Sequence, residues 1–166
     1  MAVANTKATH ITNADATPLV LTNSLISKSV VYETAGTVET LAADDALSVY
    51  RLVRVPSNAR LTSILLATDA ITGATASDVG VYQTAANGGA VVDADVFATD
   101  VDISAAATVF TEVLLEATAT DISKCEKPLW ELLGLTSDSR REYDIAVTVN
   151  DVTAAGTISM KVKYVL

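Results

Sequence analysis

From Leu47 onward the chain alternates short apolar, β-branched runs with polar breaks, and within several runs the alternation has a period of two. In Tyr143–Val149 the side chains of Tyr143, Ile145, Val147 and Val149 fall on one side, and Asp144, Ala146 and Thr148 on the other. In Thr157–Leu166, Ile158, Met160, Val162, Tyr164 and Leu166 alternate with Thr157, Ser159, Lys161 and Lys163. Such a pattern predicts strands with one buried and one wet face, and Asn150–Gly156 is expected to join these two as an antiparallel pair. The runs Leu47–Val55 and Leu61–Ala67 flank the short turn Pro56-Ser57-Asn58-Ala59 and read as a hairpin. Val79–Gln83 is a further strand, closed by Asn87-Gly88-Gly89, and Val91-Val92 with Val96-Phe97 resumes an apolar edge. Thr108–Leu115 suits either a helix or a strand on spacing; we read it as a strand.

One segment has helical punctuation. Lys127–Leu133 carries Pro128, suited to a first turn, and is followed by Gly134, a natural stop. Leu129, Trp130 and Leu133 are placed to hold that turn against a sheet. One short helix among strands at regular spacing predicts an all-β fold, a single β-sandwich or jelly-roll-like domain over 46–166 with a helix near 128–133. Residues 1–45 differ: they are rich in Thr, Asn, Ala and Ser, with short apolar pieces at Leu19–Leu21 and Val30–Tyr32. Two readings stay open for them, an extended N-terminal arm or edge strands that order against something else.

Composition narrows the function. At 17.3 kDa one domain can bury roughly 70% of its unfolded surface. The residues are 50% hydrophobic but only 5% aromatic, so each core position contributes little burial and association is expected to add stability. A net charge of −9 opposes binding to nucleic acid or to anionic membranes, since phosphate contact needs clustered Lys and Arg. The first residues, MAVANTKATHITNADATP, lack the apolar core of a secretory leader, and no run of about 18 apolar residues is present to span a membrane. The single cysteine cannot form an intrachain disulfide, which fits synthesis in a reducing cytosol.

Chemistry-bearing side chains are scarce: one His, one Cys and one Trp. His10 lies in the polar N-terminal stretch with no GxSxG nucleophile elbow anywhere, so nucleophilic catalysis has no partners. Cys125 stands beside Lys124 and Lys127 and reads as an incidental thiol. Asp93, Asp95, Asp100 and Asp102 form the densest acidic cluster, but the spacing of a calcium loop is missing, and a solvated loop is the reading we adopt. No enzymatic activity, metal or cofactor is expected. Arg51, Arg54 and Arg60 crowd one region of an acidic chain. Arg51 and Arg54 differ by an odd number and are expected on opposite faces of a regular strand, so that one meets a carboxylate in the interior or at a subunit contact. The alternative is an ordinary strand-edge salt bridge. Arg51, Arg54, Arg60 and Trp130 are the candidate interface residues. Lys161 and Lys163 mark a strand face that is solvated or meets acid.

The stretches Tyr50–Arg60, Asp78–Tyr82, Gly88–Ala98, Lys127–Leu135 and Tyr143–Ala146, in that order, give the chain a family likeness. They resemble small virion structural proteins of tailed bacteriophages, of the head decoration or capsid cement kind, over roughly residues 47–166. The resemblance implies a non-enzymatic all-β protein on the capsid surface, made in the host cytoplasm and bound to the major capsid protein, commonly as a homotrimer. It transfers no catalytic residue. The N-terminal arm is then the expected clamp. The competing expectation is a carbohydrate- or receptor-binding module of a tail or fibre, which needs an exposed aromatic platform.

Overall fold

In the computed structural model, the described residues are 6–27, 29–42, 44–115, 120–151 and 154–166. Among these, eight strands make two four-stranded antiparallel sheets. They are β1 (Val31–Thr40), β2 (Ser48–Pro56), β3 (Arg60–Thr68), β4 (Ser77–Gln83), β5 (Val91–Ala98), β6 (Ala107–Glu112), β7 (Glu142–Val149) and β8 (Gly156–Val165). Sheet I has the order β1-β8-β3-β6 and sheet II the order β2-β7-β4-β5. The pairs β1·β8, β2·β7, β3·β6 and β4·β5 are the rungs of one long antiparallel ribbon, and rolling that ribbon up sets β8 against β3 and β7 against β4. The result is a jelly roll, as the strand pattern predicted.

The inward-facing positions of both sheets supply the core. Ile158, Met160 and Val162 of β8 face Ile145, Val147 and Val149 of β7, and Ile64, Leu66, Val79, Val81 and Phe97 fill the space around them, all buried. The small-residue composition is consistent with this thin interior, in which Phe97 is among the largest fully buried side chains.

Two sequence expectations about connectivity are corrected. Leu47–Val55 and Leu61–Ala67 do form consecutive strands, but β2 and β3 lie in different sheets, so the Pro56–Ala59 turn is a crossing between layers and not a hairpin. Besides the local bond from Ala59 N–H to the Pro56 carbonyl (3.0 Å), its backbone is tied to distant residues: Ser57 N–H donates to the Arg141 carbonyl (2.8 Å), while the Ser57 and Ala59 carbonyls accept from Trp130 (2.9 Å) and Leu129 (2.8 Å). Likewise β7 and β8 do not pair; the connection after Asn150 changes sheets. Local sequence does not distinguish a tight turn that stays in a sheet from one that leaves it, because burial of the turn by a remote segment decides. The β4–β5 turn is a true hairpin, with Gly88 and Gly89 at φ 99° and 69°, values open to glycine at no steric cost.

Thr108–Leu115 contains strand β6, as read from the sequence. The expected helix is present as one turn, α2 (Leu129–Leu132), with Pro128 at its N-cap and Gly134 in the left-handed conformation beyond its end. Leu129 is fully buried and Leu133 packs against the core; Trp130, expected to share that role, is half-buried and lies outside the core cluster. An additional helix, α1 (Thr9–Ala14), buries none of its residues. Of the N-terminal stretch, Val31–Thr40 pairs with β8 as an edge strand, whereas residues 6–27 contribute no strand. Residues 1–5 of that stretch lie outside the described residues.

Candidate interaction surface

The outer face of sheet II carries the densest charged arrangement among the candidate residues. On β7, Asp144 points away from the core yet is only 6% exposed. Its Oδ1 accepts from Arg54 Nε at 2.7 Å, and its Oδ2 from Arg51 Nη1 at 3.1 Å and Arg54 Nη2 at 3.3 Å. The odd spacing of the two arginines predicted opposite faces. The β2–β7 register slips between Arg51 and Val53, so Leu52 is an extra, bulged residue and both guanidiniums reach the same carboxylate. The bulge has a matching feature across the molecule: a Cβ on Gly36 of β1 would overlap the Leu52 carbonyl, so glycine lets the two edge strands close together.

Arg51 is further held by the carbonyls of Gln83 and Gly89, and its guanidinium stands 5.2 Å from the centroid of the Tyr82 ring. Tyr82 in turn shares a hydrogen bond with Thr148. Burial alone would push the Asp144 carboxyl up. The hydrogen bonds and charges of Arg54 and Arg51 outweigh it and hold the group below the ordinary carboxylate range. Arg54 is correspondingly raised by its bond to Asp144.

The outer face of β7 is therefore not wet, against expectation. Asp144, Ala146 and Thr148 are all buried. Strand β5 takes three extra residues between its pairings with Val79 and Val81, and its backbone at Asp93–Ala94 folds over Gly80, where a Cβ would overlap it. Under that fold Asp93 is raised by burial first and by Asp95 beside it second. The other two members of the acidic cluster act as local caps or donors: Asp102 accepts from Ser104 N at 2.8 Å and Asp100 N donates to Asp78 at 3.1 Å. Among the described residues no group of three or more His, Cys, Asp or Glu side chains could hold a metal ion.

The remaining candidates lie elsewhere. Arg60 begins β3 in sheet I; its Nε donates to the Leu25 carbonyl at 2.5 Å and its Nη1 to the Cys125 carbonyl at 3.2 Å, tying the N-terminal segment to the body. Trp130 sits on α2, at the end of the sandwich holding the β2–β3 crossing. The four candidates thus divide between two sheets and α2 and do not form one site. Cys125 is exposed. On the outer face of sheet I, Lys163 pairs with Glu33 at 3.7 Å, and Lys161 stands 4.4 Å from the Phe110 ring centroid, so these lysines meet an acid and an aromatic face. Sequence reasoning missed Asp144. Its signal was a lone carboxylate inside the apolar run Tyr143–Val149, which a buried strand accommodates only with cationic partners.

Exposed aliphatic side chains gather before and along the first strand: Ile11, Leu19, Val20, Leu21, Val30 and Val31, with Leu21 87% exposed. No helix among the described residues is long and apolar enough to cross a membrane.

The geometry has counterparts among solved structures. A chain in the capsid of Ralstonia phage GP4 matches with a TM-score of 0.57 at 16% identity, covering 82% of this chain and 84% of that one. A chain in the capsid asymmetric unit of cyanophage Pam1 matches with a TM-score of 0.52 at 14% identity, covering 83% and 86%. The common property is the fold. No protein-family model matches the sequence, and no curated protein does.

Proposed function

We propose that this chain is a structural protein of a tailed-phage head, of the decoration or cement kind, which binds the lattice of the major capsid protein and stabilises it. The observation that carries the reading is the jelly roll shared over more than four-fifths of the chain with chains of two phage capsids. The resemblance of Tyr50–Arg60, Gly88–Ala98 and Lys127–Leu135 to that group, met in the sequence alone, points the same way. Its product is a surface and not a reaction, and the protein acts as a homotrimer on the outside of the virion. Repeated copies on a symmetric lattice hold through multivalency even where each contact is weak.

Residues 6–27 form the attachment arm and 46–166 the folded body, with β1 bridging them. The exposed Leu19, Val20 and Leu21 supply apolar contact area, and the net charge of −9 excludes the packaged DNA as partner. Arg54, half exposed beyond its bond to Asp144, and Trp130 are the body residues offered to the lattice. The competing reading, a tail or fibre module for carbohydrate, rests on the aromatic pair Tyr32 and Tyr164, stacked with centroids 5.7 Å apart.

Incubating the purified protein with heads that lack it, followed by sedimentation and image reconstruction, separates the two. Saturable binding at symmetry-related positions is expected. Binding to glycans with no affinity for heads would overturn the proposal.

A further inference from the structure

A buried hydroxyl without a hydrogen-bond partner is rare in a folded protein, because it keeps the full cost of leaving water. Thr68, the last residue of β3, carries one. It is 5% exposed, and among the described residues its Oγ1 meets no donor or acceptor. Thr68 lies two residues beyond Leu66 on the same, inner face of β3, where valine would fill the same space with no polar atom. In a dry interior the hydroxyl contributes nothing.

Thr68 lines a crevice. Between the pairings Leu66↔Thr111 and Thr68↔Ala107, β3 advances two residues and β6 four, so the edge strand carries two surplus residues and bends. The space between β3, β6 and the segment 101–103 measures about 90 Å³. Leu66, Ile103 and Val113, all buried, wall it, while Thr68, Thr111 and Asp102 supply polar groups. Each polar group comes from a different element: Thr68 from β3, Thr111 from β6 and Asp102 from the segment. Thr111 and Asp102 are exposed, so the crevice meets solvent on their side. The Thr111 hydroxyl donates to the Val109 carbonyl at 3.4 Å, a long bond that leaves its acceptor lone pairs open.

We infer that this crevice is a hydration site, in which ordered water bonds to Thr68 Oγ1 and bridges it to Thr111 and Asp102. A water takes up about 30 Å³ and needs two to four polar partners, so the crevice admits about three. A wholly apolar cavity stays dry; the hydroxyl at the buried end is what decides for water here. The bridge has a structural consequence. β6 has one neighbour in its sheet, and the waters give it a second attachment, to the segment 101–103 behind it. The site needs no partner protein and goes beyond the capsid reading.

Two measurements on the full chain test it. The first is a high-resolution crystal structure of wild type, repeated under xenon pressure. Ordered solvent is expected within hydrogen-bond distance of Thr68 Oγ1 and continuous to Thr111 or Asp102, with no xenon bound. Xenon in the crevice, no solvent beside Thr68, or a Thr68 hydroxyl turned onto a protein acceptor would overturn the site. The second is calorimetric melting of Thr68→Val, which keeps the shape and removes the hydroxyl. A hydrated site loses the hydrogen bond that holds its innermost water, and Tm falls by about 2–4 °C. A dry site sheds an unpartnered polar group, so a Tm equal to or above that of wild type sinks the inference. Crystal structures of Thr68→Val and Thr68→Ser complete the test: the serine variant should keep the innermost water and the valine variant should lose it. Solvent unchanged in Thr68→Val would show that the hydroxyl does not hold it.

Discussion

Replacing Asp144 by Asn removes the charge at the centre of the sheet II outer face while keeping its size. Three hydrogen bonds from two guanidiniums converge on this carboxylate. Hydrogen bonds to charged groups contribute roughly 1.5–3 kcal/mol each, and breaking a wholly buried ion pair costs about 3–5 kcal/mol. The carboxylate side chain is 9% exposed, but those of Arg51 and Arg54 are 33% and 50% exposed, so water takes up much of what the arginines lose. Arg51 also keeps the carbonyls of Gln83 and Gly89. A cost of about 2 kcal/mol follows, which in a domain of this size lowers Tm by about 4–8 °C.

The pH dependence gives a second handle. The folded Asp144 carboxyl titrates below its unfolded value of about 3.9, so its contribution is complete above that value and is lost as pH falls through the lower, folded one. Melting curves of wild type and Asp144→Asn from pH 7 to pH 2.5 should therefore show a constant gap down to about pH 4–5, then convergence. A variant within 1 °C of wild type at pH 7, or a gap that widens in acid, would refute the reasoning.

Three further outcomes are expected. Gly36→Ala forces a Cβ into the Leu52 carbonyl and should cost about 3 kcal/mol in chemical denaturation, and Gly156→Ala, whose Cβ would stand 2.8 Å from Cγ1 of the fully buried Ile71, should cost about 1–2 kcal/mol. Asp93 is raised by burial and by Asp95, so its favourable contribution is present in acid and lost as pH rises through its folded value. Asp93→Asn should melt higher than wild type at pH 7, with the gap closing as pH falls to about 4. Deleting residues 1–27, which leaves β1 paired to β8, should keep Tm within about 2 °C by calorimetry and abolish binding to heads; a large fall in Tm would place the segment in the core.

The strands were legible because a period of two survives in a thin sandwich, and α2 because Pro128 and Gly134 mark its ends. Their pairing was not legible. The turn at Pro56–Ala59 resembles a hairpin turn in composition, and only the docking of Leu129 and Trp130 on its carbonyls reveals that it crosses between sheets. The bulge at Leu52 has no local marker either; its condition is Gly36, on a strand sixteen residues earlier in the chain. For the charged cluster, the arginines were singled out and their acid was not, because the parity argument assumed an unbroken strand.

Strand β8 lies between β1 and β3, so two of the three strand pairings of sheet I wait for a segment made after all the other strands. Before residues 156–165 leave the ribosome, β1 has no neighbour in its sheet and β3 has only the short β6. Nascent chains therefore hold two strand edges open, which exposes them to pairing with other copies, and the roll closes only once β8 has been made. Ordering β8 joins β1 to β3, so a chain lacking residues 156–165 never presents a finished surface to a partner. Assembly is in this way restricted to copies that include β8, by the order in which the ribbon is wound.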